Sequence, residues 1–492
     1  MNSLPFLSLL IALPLLGAVL AWFAPNGRWA RSVALSIGFF ELILAIKVVF
    51  AFDPNSAAFQ LIEKRAWIPS LNSHYHVGID GLSVLFLPMT ALLFIATLIA
   101  GWSLANRMMP HLYFALLLFF EGVTMGIFCA LDTMLFFLFW ELTLIPIYFL
   151  VSLWGIGPNR RYAALKYTLF MLAGGAPLLF GLLLSAMANS GQPLLFDLVV
   201  LLQNPLPIQV QWPVFFLLLI GFGVKVPFVP LHAWLPTIAM EGPVAITAIM
   251  TGLKLGAYGL IRFLMPLTSD VAHELHWLLE GIAVVAIVYG ALAALVQSNL
   301  RRMLAFSSIS HVGLVVLGVA SFSLQGVQGA LYQLLNFSLT SGGIFLLAGF
   351  LHQRLGSTDL TRMGGLIQPI PLATGMFLLM GLASMGIPLT SGFPGEFLLL
   401  VGALQHHIGS GLAALGGVIL GAGYFLRFYR RAFLGPLGPS VPERLPSLLP
   451  REMLILITFA ILILVGGWFP SIILDIIFTA SQNWLDHINY NY

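Results

Sequence analysis

Charged residues are scarce in this chain of 492 residues, because only 8% are Asp, Glu, Lys or Arg while 60% are hydrophobic. An ordinary soluble domain carries roughly 25% charged residues. So few charges could not cover the surface of a soluble protein of this size, which argues against a cytosolic enzyme, a disordered chain or a nucleic-acid-binding protein. The net charge of +3 is too small to indicate an acidic partner. The composition predicts a protein that crosses a membrane several times.

Cysteine is almost absent as well. The single residue, Cys129, lies in an apolar run, so the chain cannot form a disulfide framework or ligate an iron–sulfur cluster with cysteines of its own. No G-x-x-x-x-G-K-[ST] phosphate loop occurs, and no histidines have the arrangement expected of membrane haem ligands. We therefore expect no cofactor, no metal and no catalytic residue of a chemical reaction in this chain. Its energy must come from a partner or from an ion gradient.

Apolar runs of the length that spans a bilayer, about 20 residues, recur about fourteen times. This indicates an all-α polytopic membrane protein with about 14 transmembrane helices. Proline and glycine interrupt the seventh run at GFGVKVPFVPLHAWLP (Gly221–Pro236) and the twelfth at ASMGIPLTSGFPGEF (Ala383–Phe397). Breaks at membrane depth are tolerated only where they are buried in protein or line a wet cavity. Helices 7 and 12 are therefore predicted to be broken. They lie about five spans apart, which predicts two inverted five-helix repeats.

The repeats divide the chain into four predicted parts. Residues 1–110 form the N-terminal helices 1 to 3, and residues 111–266 form the first five-helix repeat. Residues 267–435 form the second, inverted repeat, and residues 436–492 contain helix 14 and a tail. Each repeat is expected to provide one half-channel. The longest loop, Asp53–Gly81, is too short for a catalytic domain.

The loops differ in charge between the two sides of the membrane. One side collects most of the basic residues, among them Arg301 and Arg302, whereas the other has little beyond Lys64 and Arg65. By the positive-inside rule the arginine-rich side is cytoplasmic. With an even number of spans, both termini are then predicted to lie on the non-cytoplasmic side.

Ionisable side chains occur inside several of the apolar runs, where an ionised group costs about 3 kcal/mol and is functional by default. In chain order they are Glu121, Glu141, Lys225, Lys254, Glu280, His311 and Glu396. A lysine taken out of water releases its proton more readily, and a nearby carboxylate restores its affinity. A moving partner can therefore switch such a lysine between holding and releasing a proton. This mixture of acids, bases and an imidazole favours a proton path.

The positions of these residues suggest roles along that path. Glu141 and Lys225 are the natural first pair, Lys254 is a relay, and Glu396 is an acceptor on the exit side. His232 is a secondary candidate for a step linked through water.

Some of the buried groups have a structural alternative. Glu121 and Glu280 could lie at the membrane interface or pair with a neighbouring subunit, although Glu121 stays a secondary candidate for proton transfer. His311 alone could be a hydrogen-bonded packing residue. A structural role at the membrane interface does not explain Lys225 and Lys254, because both are predicted to lie too deep for the side chain to reach the interface.

Seven motifs, in the same order along the chain, resemble those of the antiporter-like subunit M, or chain 4, of proton-pumping NADH:quinone oxidoreductase (respiratory complex I). They are YHVGIDGLSVLF (Tyr75–Phe86), LFFLFWELTLIPIYFLVSLWG (Leu135–Gly155), KVPFVPLHAWLP (Lys225–Pro236), LKLGAYGLIRF (Leu253–Phe263), AFSSISHVG (Ala305–Gly313), SGFPGEF (Ser391–Phe397) and YRRAFLG (Tyr429–Gly435). The resemblance implies that Glu141 and Lys225 form the coupling pair and that Lys254 is the central relay. It also implies that His311 belongs to the connecting path and that Glu396 takes the terminal position.

The resemblance further implies a setting for the chain. It would be a non-redox subunit in the membrane arm of the complex, translocating protons while quinone is reduced elsewhere, in the bacterial inner membrane. FMN, iron–sulfur clusters and quinone would belong to other subunits. Its partners would be neighbouring antiporter-like chains, including a lateral helix from one of them, together with lipids, protons and water.

The eleventh apolar run departs from the family pattern. Where the family usually has a histidine, this sequence has Phe337, with Asn336 next to it. A phenyl ring has neither a donor nor an acceptor. The link between Lys254 and Glu396 must therefore use water, Asn336 or another group.

Three alternatives to this function remain open. The first is a cation/proton antiporter subunit that works without redox chemistry. The second is the equivalent subunit of a ferredoxin- or hydrogenase-linked complex, and the third is a scaffold whose channel has decayed. The retained charges at Glu141, Lys225, Lys254 and Glu396 argue against decay.

Overall fold

The computed structural model describes residues 5–106, 108–188, 194–442 and 444–489, which are almost entirely helical. In this part of the chain, 11 helical stretches are long and apolar enough to cross a membrane. Three shorter apolar helices, Phe6–Trp22, Phe86–Ala100 and Pro371–Ser384, add to them. The predicted all-α polytopic membrane protein is confirmed. The count of fourteen spans, the inverted repeats and the four-part division stay predictions.

The N-terminal region contains a β-hairpin between its helices. Its elements are α1 (Phe6–Trp22), α2 (Gly27–Ala51), β1 (Gln60–Ile68), a short 3-10 turn (Pro69–Leu71), β2 (Ser73–Ile79), α3 (Phe86–Ala100) and α4 (Trp102–Ala105). The strands pair antiparallel around Asn72, whose positive φ of 54° suits the left-handed conformation that asparagine tolerates in turns. The sequence had indicated only a loop here, so the hairpin is a finding of the structure.

Asp197 connects this hairpin to the segment that precedes the short helix Leu198–Gln203. Its Oδ2 lies 2.6 Å from Nζ of Lys64 on β1 and 3.1 Å from Nδ1 of His76 on β2. Burial alone would raise the pKa of Asp197, but the bonds from His76 and Lys64 outweigh it and hold the pKa at about 2. The carboxylate is therefore charged at any physiological pH, and it also accepts a bond from the main chain of Val199 at the start of a short helix.

The middle of the chain, up to residue 267, is a series of helices with three interruptions. The elements are α5 (Pro110–Cys129), α6 (Thr133–Leu142), α7 (Leu144–Trp154), α8 (Arg160–Met187), α9 (Leu198–Gln203), α10 (Ile208–Lys225), α11 (Trp234–Glu241), α12 (Val244–Gly252), α13 (Leu255–Gly259), a π-helix (Leu260–Leu264) and α14 (Met265–Leu267). The break after α10 was predicted, since Pro227 and Pro230 lack the N–H that a helix needs.

The other two interruptions were not predicted. One separates α6 from α7 at Thr143, where Pro146 cannot donate to the carbonyl of Leu142. The other separates α12 from α13 at Lys254, which has a φ of 47°. In both places the break falls next to a residue that the sequence assigns to the proton path.

The remaining helices run from residue 269 to the end of the described chain. They are α15 (Ser269–Glu274), α16 (His276–Leu295), α17 (Leu300–Ala320), α18 (Leu324–Leu355), a 3-10 turn (Leu360–Arg362), α19 (Pro371–Ser384), α20 (Gly392–His406), α21 (Ile408–Phe433), α22 (Pro450–Trp468) and α23 (Ser471–Asn489). The second predicted break is present between α19 and α20, around Pro388. Helices α17 and α18 are enclosed by protein, whereas α2, α8 and α21 expose much of their apolar surface.

Candidate proton-transfer site

Lys225 is the last residue of α10, at the start of the first predicted break. Its Nζ donates a hydrogen bond of 3.0 Å to Oγ1 of Thr143 and lies 3.8 Å from the centre of the Trp140 ring. Glu141 is close enough to interact electrostatically with Lys225, although no ion pair within 4.0 Å joins them in the described chain. The structure thus makes the predicted pair neighbours, with Lys225 held by a hydroxyl and an indole ring.

A small cavity adjoins Lys225. Its volume is about 30 Å³, and its lining includes Tyr167 and Trp234. The buried hydroxyl of Tyr167 has no hydrogen-bond partner among the described residues. A cavity needs about 10–15 Å³ of this kind of volume to hold a water. The space therefore suits a water that bonds both the ammonium and the phenol.

Glu141 opens onto the outer surface of the molecule. Its crevice, of about 450 Å³, is lined by apolar side chains such as Leu138, Ile145 and Phe149, which are themselves exposed. On its inner side the carboxylate packs on Gly175, where an added Cβ would approach Oε1 to 2.3 Å. Any larger residue at 175 would displace the carboxylate from this position.

Lys254 forms the break in the next helix and is only 7% exposed. Its φ of 47° and ψ of 44° place it in the left-handed conformation, which costs a non-glycine residue about 1–2 kcal/mol. Such strain is found where the surrounding structure requires it, often at functional sites. The ammonium donates to the main-chain carbonyl of Ser308 at 3.1 Å and to the Ser308 hydroxyl.

His311 lies one turn further along α17 and packs against Phe337. The two rings are nearly parallel, with centres 5.7 Å apart, and Nζ of Lys254 lies 5.2 Å from the centre of the same phenyl ring. Phe337 is completely buried. Lys254 and His311 therefore both pack against this apolar ring, and they also interact electrostatically with each other.

Tyr424 of α21 connects His311 to its other neighbours. Its hydroxyl lies 3.3 Å from Nε2 of His311 and 2.6 Å from Oγ of Ser307. It also interacts electrostatically with Glu396. The tyrosine thus contacts the imidazole directly and interacts with the terminal carboxylate.

Glu396 lies near the start of α20, just after the second break. Gln333 donates to its Oε1 at 3.2 Å, and Asn336 donates to the side-chain oxygen of Gln333 at 3.3 Å. Ser391, in the break itself, donates to Asn336 at 2.6 Å. Asn336 is therefore part of a hydrogen-bonded chain that ends on the Glu396 carboxylate.

Three candidates do not join this series of contacts. His232 bonds the hydroxyl of Tyr289 at 3.1 Å, and Glu280 binds His406 at 2.7 Å and Ser410 at 2.5 Å near one end of α16. Glu121 is buried in the N-terminal helix bundle. Glu280 therefore has hydrogen-bond partners within this chain, and its predicted pairing with a neighbouring subunit stays a prediction.

The sequence missed Thr143, Gln333 and Tyr424. Each is a neutral polar residue inside an apolar run of the sequence. Sequence alone does not show whether such a side chain hydrogen-bonds to a residue of the proton path or to the main chain of its own helix. Thr340, for example, donates to the carbonyl of Asn336. A neutral polar residue would indicate a functional site only if it had no hydrogen-bond partner in its own helix. Whether it has one depends on the folded structure.

Two further motifs of the sequence meet outside this series. Asp80, from GIDGLS, forms a two-pronged ion pair with Arg262, at 2.6 and 2.7 Å. Gly81 permits the approach of α23, because a Cβ there would lie 2.6 Å from the carbonyl of Ile476. The pair fixes the helical segment that follows Lys254 to the N-terminal region.

Comparisons with known proteins place the chain in a family. The profile of the transmembrane family NADH:quinone oxidoreductase/Mrp antiporter matches residues 130–421, and the chain belongs to that family. NAD(P)H-quinone oxidoreductase chain 4 1 of Synechococcus sp. (strain JA-2-3B'a(2-13)) is 37% identical over 95% of this chain and 90% of its own length. NADH-quinone oxidoreductase subunit M of Rickettsia typhi (strain ATCC VR-144 / Wilmington) is 32% identical over 99% of both chains.

A solved structure agrees with these relatives. A chain of respiratory complex I from Thermus thermophilus with bound NADH superposes with a TM-score of 0.89 at 29% identity, over 98% of this chain and 100% of that one. The resemblance to the antiporter-like subunit M, or chain 4, is confirmed. The chain is an antiporter-like membrane subunit of the proton-pumping NADH-quinone oxidoreductase type.

Proposed function

We propose that this chain translocates protons across the membrane as a non-redox subunit of NADH:quinone oxidoreductase, driven by quinone reduction elsewhere in the complex. FMN, iron–sulfur clusters and quinone would be held by other subunits. The relatives are subunits of such an enzyme complex. The contribution of this chain to the complex would be the transfer of protons along the candidate path. The electron-transfer chemistry would lie entirely outside the chain.

The observation that carries this proposal is the buried series of titratable groups from Lys225 to Glu396. The two lysines and Glu396 lie at or beside helix breaks, and His311 lies within α17. All four have polar neighbours, and none has an ion-pair partner within 4.0 Å in the described chain. A charged group that is firmly ion-paired would keep its protonation state, whereas a group held by hydroxyls and amides can change it at lower cost. Helix breaks at membrane depth also supply main-chain groups that bind water.

Protons would pass from Glu141 and Lys225 through the first repeat to Lys254. They would continue by way of His311 and Tyr424 to Glu396. Water between these groups would complete the connection, because several of them are not in direct contact.

The position of Glu141 supports a partner on the outer face. A carboxylate in an exposed apolar crevice is costly in lipid, so a neighbouring membrane subunit would cover it. Relatives of this chain work within multi-subunit membrane complexes. We propose a lateral helix from a neighbouring antiporter-like chain and lipids as further contacts, in a bacterial inner membrane with both termini on the non-cytoplasmic side.

Lys225→Met tests the path directly in membrane vesicles that contain the intact complex. We expect NADH-driven proton uptake to fall at least about tenfold, which corresponds to about 1.4 kcal/mol of lost transition-state stabilisation. Glu141→Gln should act in the same direction. Lys47→Met is the matched control, since Lys47 is exposed on α2. Normal uptake with both Lys225→Met and Glu141→Gln would contradict the proposed path.

A cation/proton antiporter subunit is the second candidate, because the matching family profile includes Mrp antiporters. Replacing sodium by choline in the same vesicles separates the two. Proton uptake that persists without sodium supports the oxidoreductase subunit, and uptake that depends on a sodium gradient supports the antiporter.

A further inference from the structure

Two buried glutamates of the N-terminal helices are not explained by the proton path. Glu41 lies near the middle of α2 and Glu121 lies on α5, and both are 0% exposed. Neither oxygen of either carboxyl group has a hydrogen-bond partner among the described residues. They differ in this from Glu141, which is partly exposed, and from Glu396, which accepts a bond from Gln333.

The two carboxyl groups are neighbours. Helices α1, α2 and α5 pack on one another, and Glu41 and Glu121 interact electrostatically. Gly17 of α1 marks the junction, because an added Cβ there would contact Ile37 and Leu118. These residues lie one helical turn before Glu41 and Glu121, respectively.

No positive charge among the described residues forms an ion pair with either glutamate. Helices α1 and α3 contain no ionisable residue. On α2 itself, Arg31 lies ten residues before Glu41, about 15 Å along the axis, and packs over Trp102. Lys47 is exposed and lies near Phe6.

The remaining titratable groups of α5 are no better placed. His111 lies ten residues before Glu121, again about 15 Å along the axis. Tyr113 lies eight residues before Glu121 on the same helix, about 12 Å along the axis, and Cys129, which interacts electrostatically with Glu41, is an acid itself. Among the described residues, the groups that interact electrostatically with the pair are therefore acids.

An isolated carboxylate in dry, apolar surroundings takes up a proton rather than remain charged. Two adjacent carboxyl groups oppose simultaneous ionisation still more strongly. A metal cation is a poorer occupant, because hard cations require several oxygen ligands. The nearest hydroxyl along α5, that of Thr124, already donates to the carbonyl of Phe120.

We propose that Glu41 and Glu121 form a second proton-binding site, which holds at least one proton at neutral pH and lies apart from the path through Lys225. Helix α5 separates the two sites. Phe120 lines the cavity beside Lys225, whereas Glu121 is rotated from it by about 100°. Gly122 follows on the side of α1, where an added Cβ would lie 2.9 Å from the carbonyl of Ile11.

Glutamine variants test the site because glutamine resembles a protonated glutamate in shape and charge but does not titrate. The folded chain would hold a proton that the unfolded chain has already released at neutral pH, so raising the pH favours unfolding. Glu41→Gln/Glu121→Gln should remove this part of the pH dependence. We expect the intact complex in its membrane to have a thermal midpoint above that of wild type already at about pH 6, because unfolded glutamates are ionised there, and by a larger margin at about pH 9.

Glu63→Gln is the control, because both oxygens of Glu63 accept hydrogen bonds from the main chain of Leu7 and Ser8, and the amide group of a glutamine cannot accept them all. It should lower the midpoint at both pH values. The proposal is overturned if the double variant behaves like this control, or if sodium ions raise the wild-type midpoint and not that of the variant. The latter result would identify a bound cation instead of a proton.

A measurement on the unmodified chain covers the case in which the double variant does not assemble. Dicyclohexylcarbodiimide reacts with protonated carboxyl groups in apolar surroundings, and the adduct is located by mass spectrometry of the digested chain. We expect an adduct on Glu41 or Glu121 and none on Glu63. Absence of an adduct from both glutamates would overturn the proposal. Neither measurement depends on proton pumping, so a failure here is distinct from a failure of the proposed path.

Discussion

The ion pair between Asp80 and Arg262 gives the most direct test of how the fold positions Lys254. Asp80→Asn keeps the shape of the side chain and removes its charge. The guanidinium of Arg262 would stay buried, since its side chain is only 5% exposed, with Tyr258 as its remaining partner at 3.3 Å. Arg262 follows Lys254 by about two helical turns, so movement of one should displace the other.

The expected loss of stability follows from the geometry. Removing one partner of a buried ion pair costs about 3–5 kcal/mol because the other charge is left uncompensated. The asparagine oxygen can still accept one of the two bonds to Arg262, which favours the lower end of that range. Unfolding entropy of about 2 cal/mol/K per residue then gives a drop of about 3 °C in the melting midpoint for a chain of 492 residues.

The assay is the thermal unfolding of the membrane complex, followed by NADH-driven proton uptake at a temperature below the midpoint. Glu452→Gln is the matched control, because Glu452 forms a similarly buried pair with Arg354 at 2.6 Å. Both variants should lose stability, but only Asp80→Asn should also lower proton uptake. Replacement of both partners, Asp80→Leu with Arg262→Met, should recover stability, since apolar side chains can replace a buried pair at little cost. A double variant no more stable than Asp80→Asn would refute the reasoning, as would an unchanged single variant.

Three further predictions concern single side chains. Tyr424→Phe should lower proton uptake about fivefold, because it removes a hydroxyl group whose hydrogen bond is worth about 1 kcal/mol and leaves His311 in place. Proton uptake is measured with a pH-sensitive dye in vesicles, and a normal rate would exclude Tyr424 from the path. Glu396→Ala should abolish proton uptake while Glu396→Lys retains part of it, because a titratable group is required at that position; equal loss in both would show that the sign of the charge matters more. Asp197→Asn should lower the free energy of unfolding by about 1 kcal/mol at neutral pH. This value allows for solvent screening of the ion pair with Lys64, which is partly exposed. Because the pKa of Asp197 is lowered to about 2, the wild-type advantage is complete above about pH 4 and disappears as the pH falls toward 2, which acid unfolding curves of the two proteins measure.

The sequence predicted the helical membrane fold and both proline-rich breaks for a simple physical reason. Apolar length and missing N–H groups are local properties that the chain shows directly. The break at Lys254 was not predictable in this way, because the residues around it include no proline. The contact that accompanies the left-handed conformation of Lys254 is with Ser308 on another helix, and the local sequence does not show such a contact.

The sequence singled out the charged candidates of the site but not the neutral residues that hydrogen-bond to them. Lys225 and Glu396 are recognisable because a titratable group in an apolar helix is rare. Thr143 and Gln333 are not, since their roles depend on which helix they face. The hairpin was also missed, because its stability comes from Asp197, more than a hundred residues away along the chain.

The helix break after α10 also favours one sign of charge at its edge. A helix accumulates partial negative charge at its C-terminal end and partial positive charge at its N-terminal end, worth about 0.3–1 kcal/mol to a suitable ion. Lys225 is the last residue of α10, so the main-chain dipole of that helix favours its ammonium. Lys254 lies between the C-terminal end of α12 and the N-terminal end of α13, where the two dipoles oppose each other. Because no side-chain substitution removes a main-chain dipole, the charge favoured at position 225 is determined by the direction in which α10 runs.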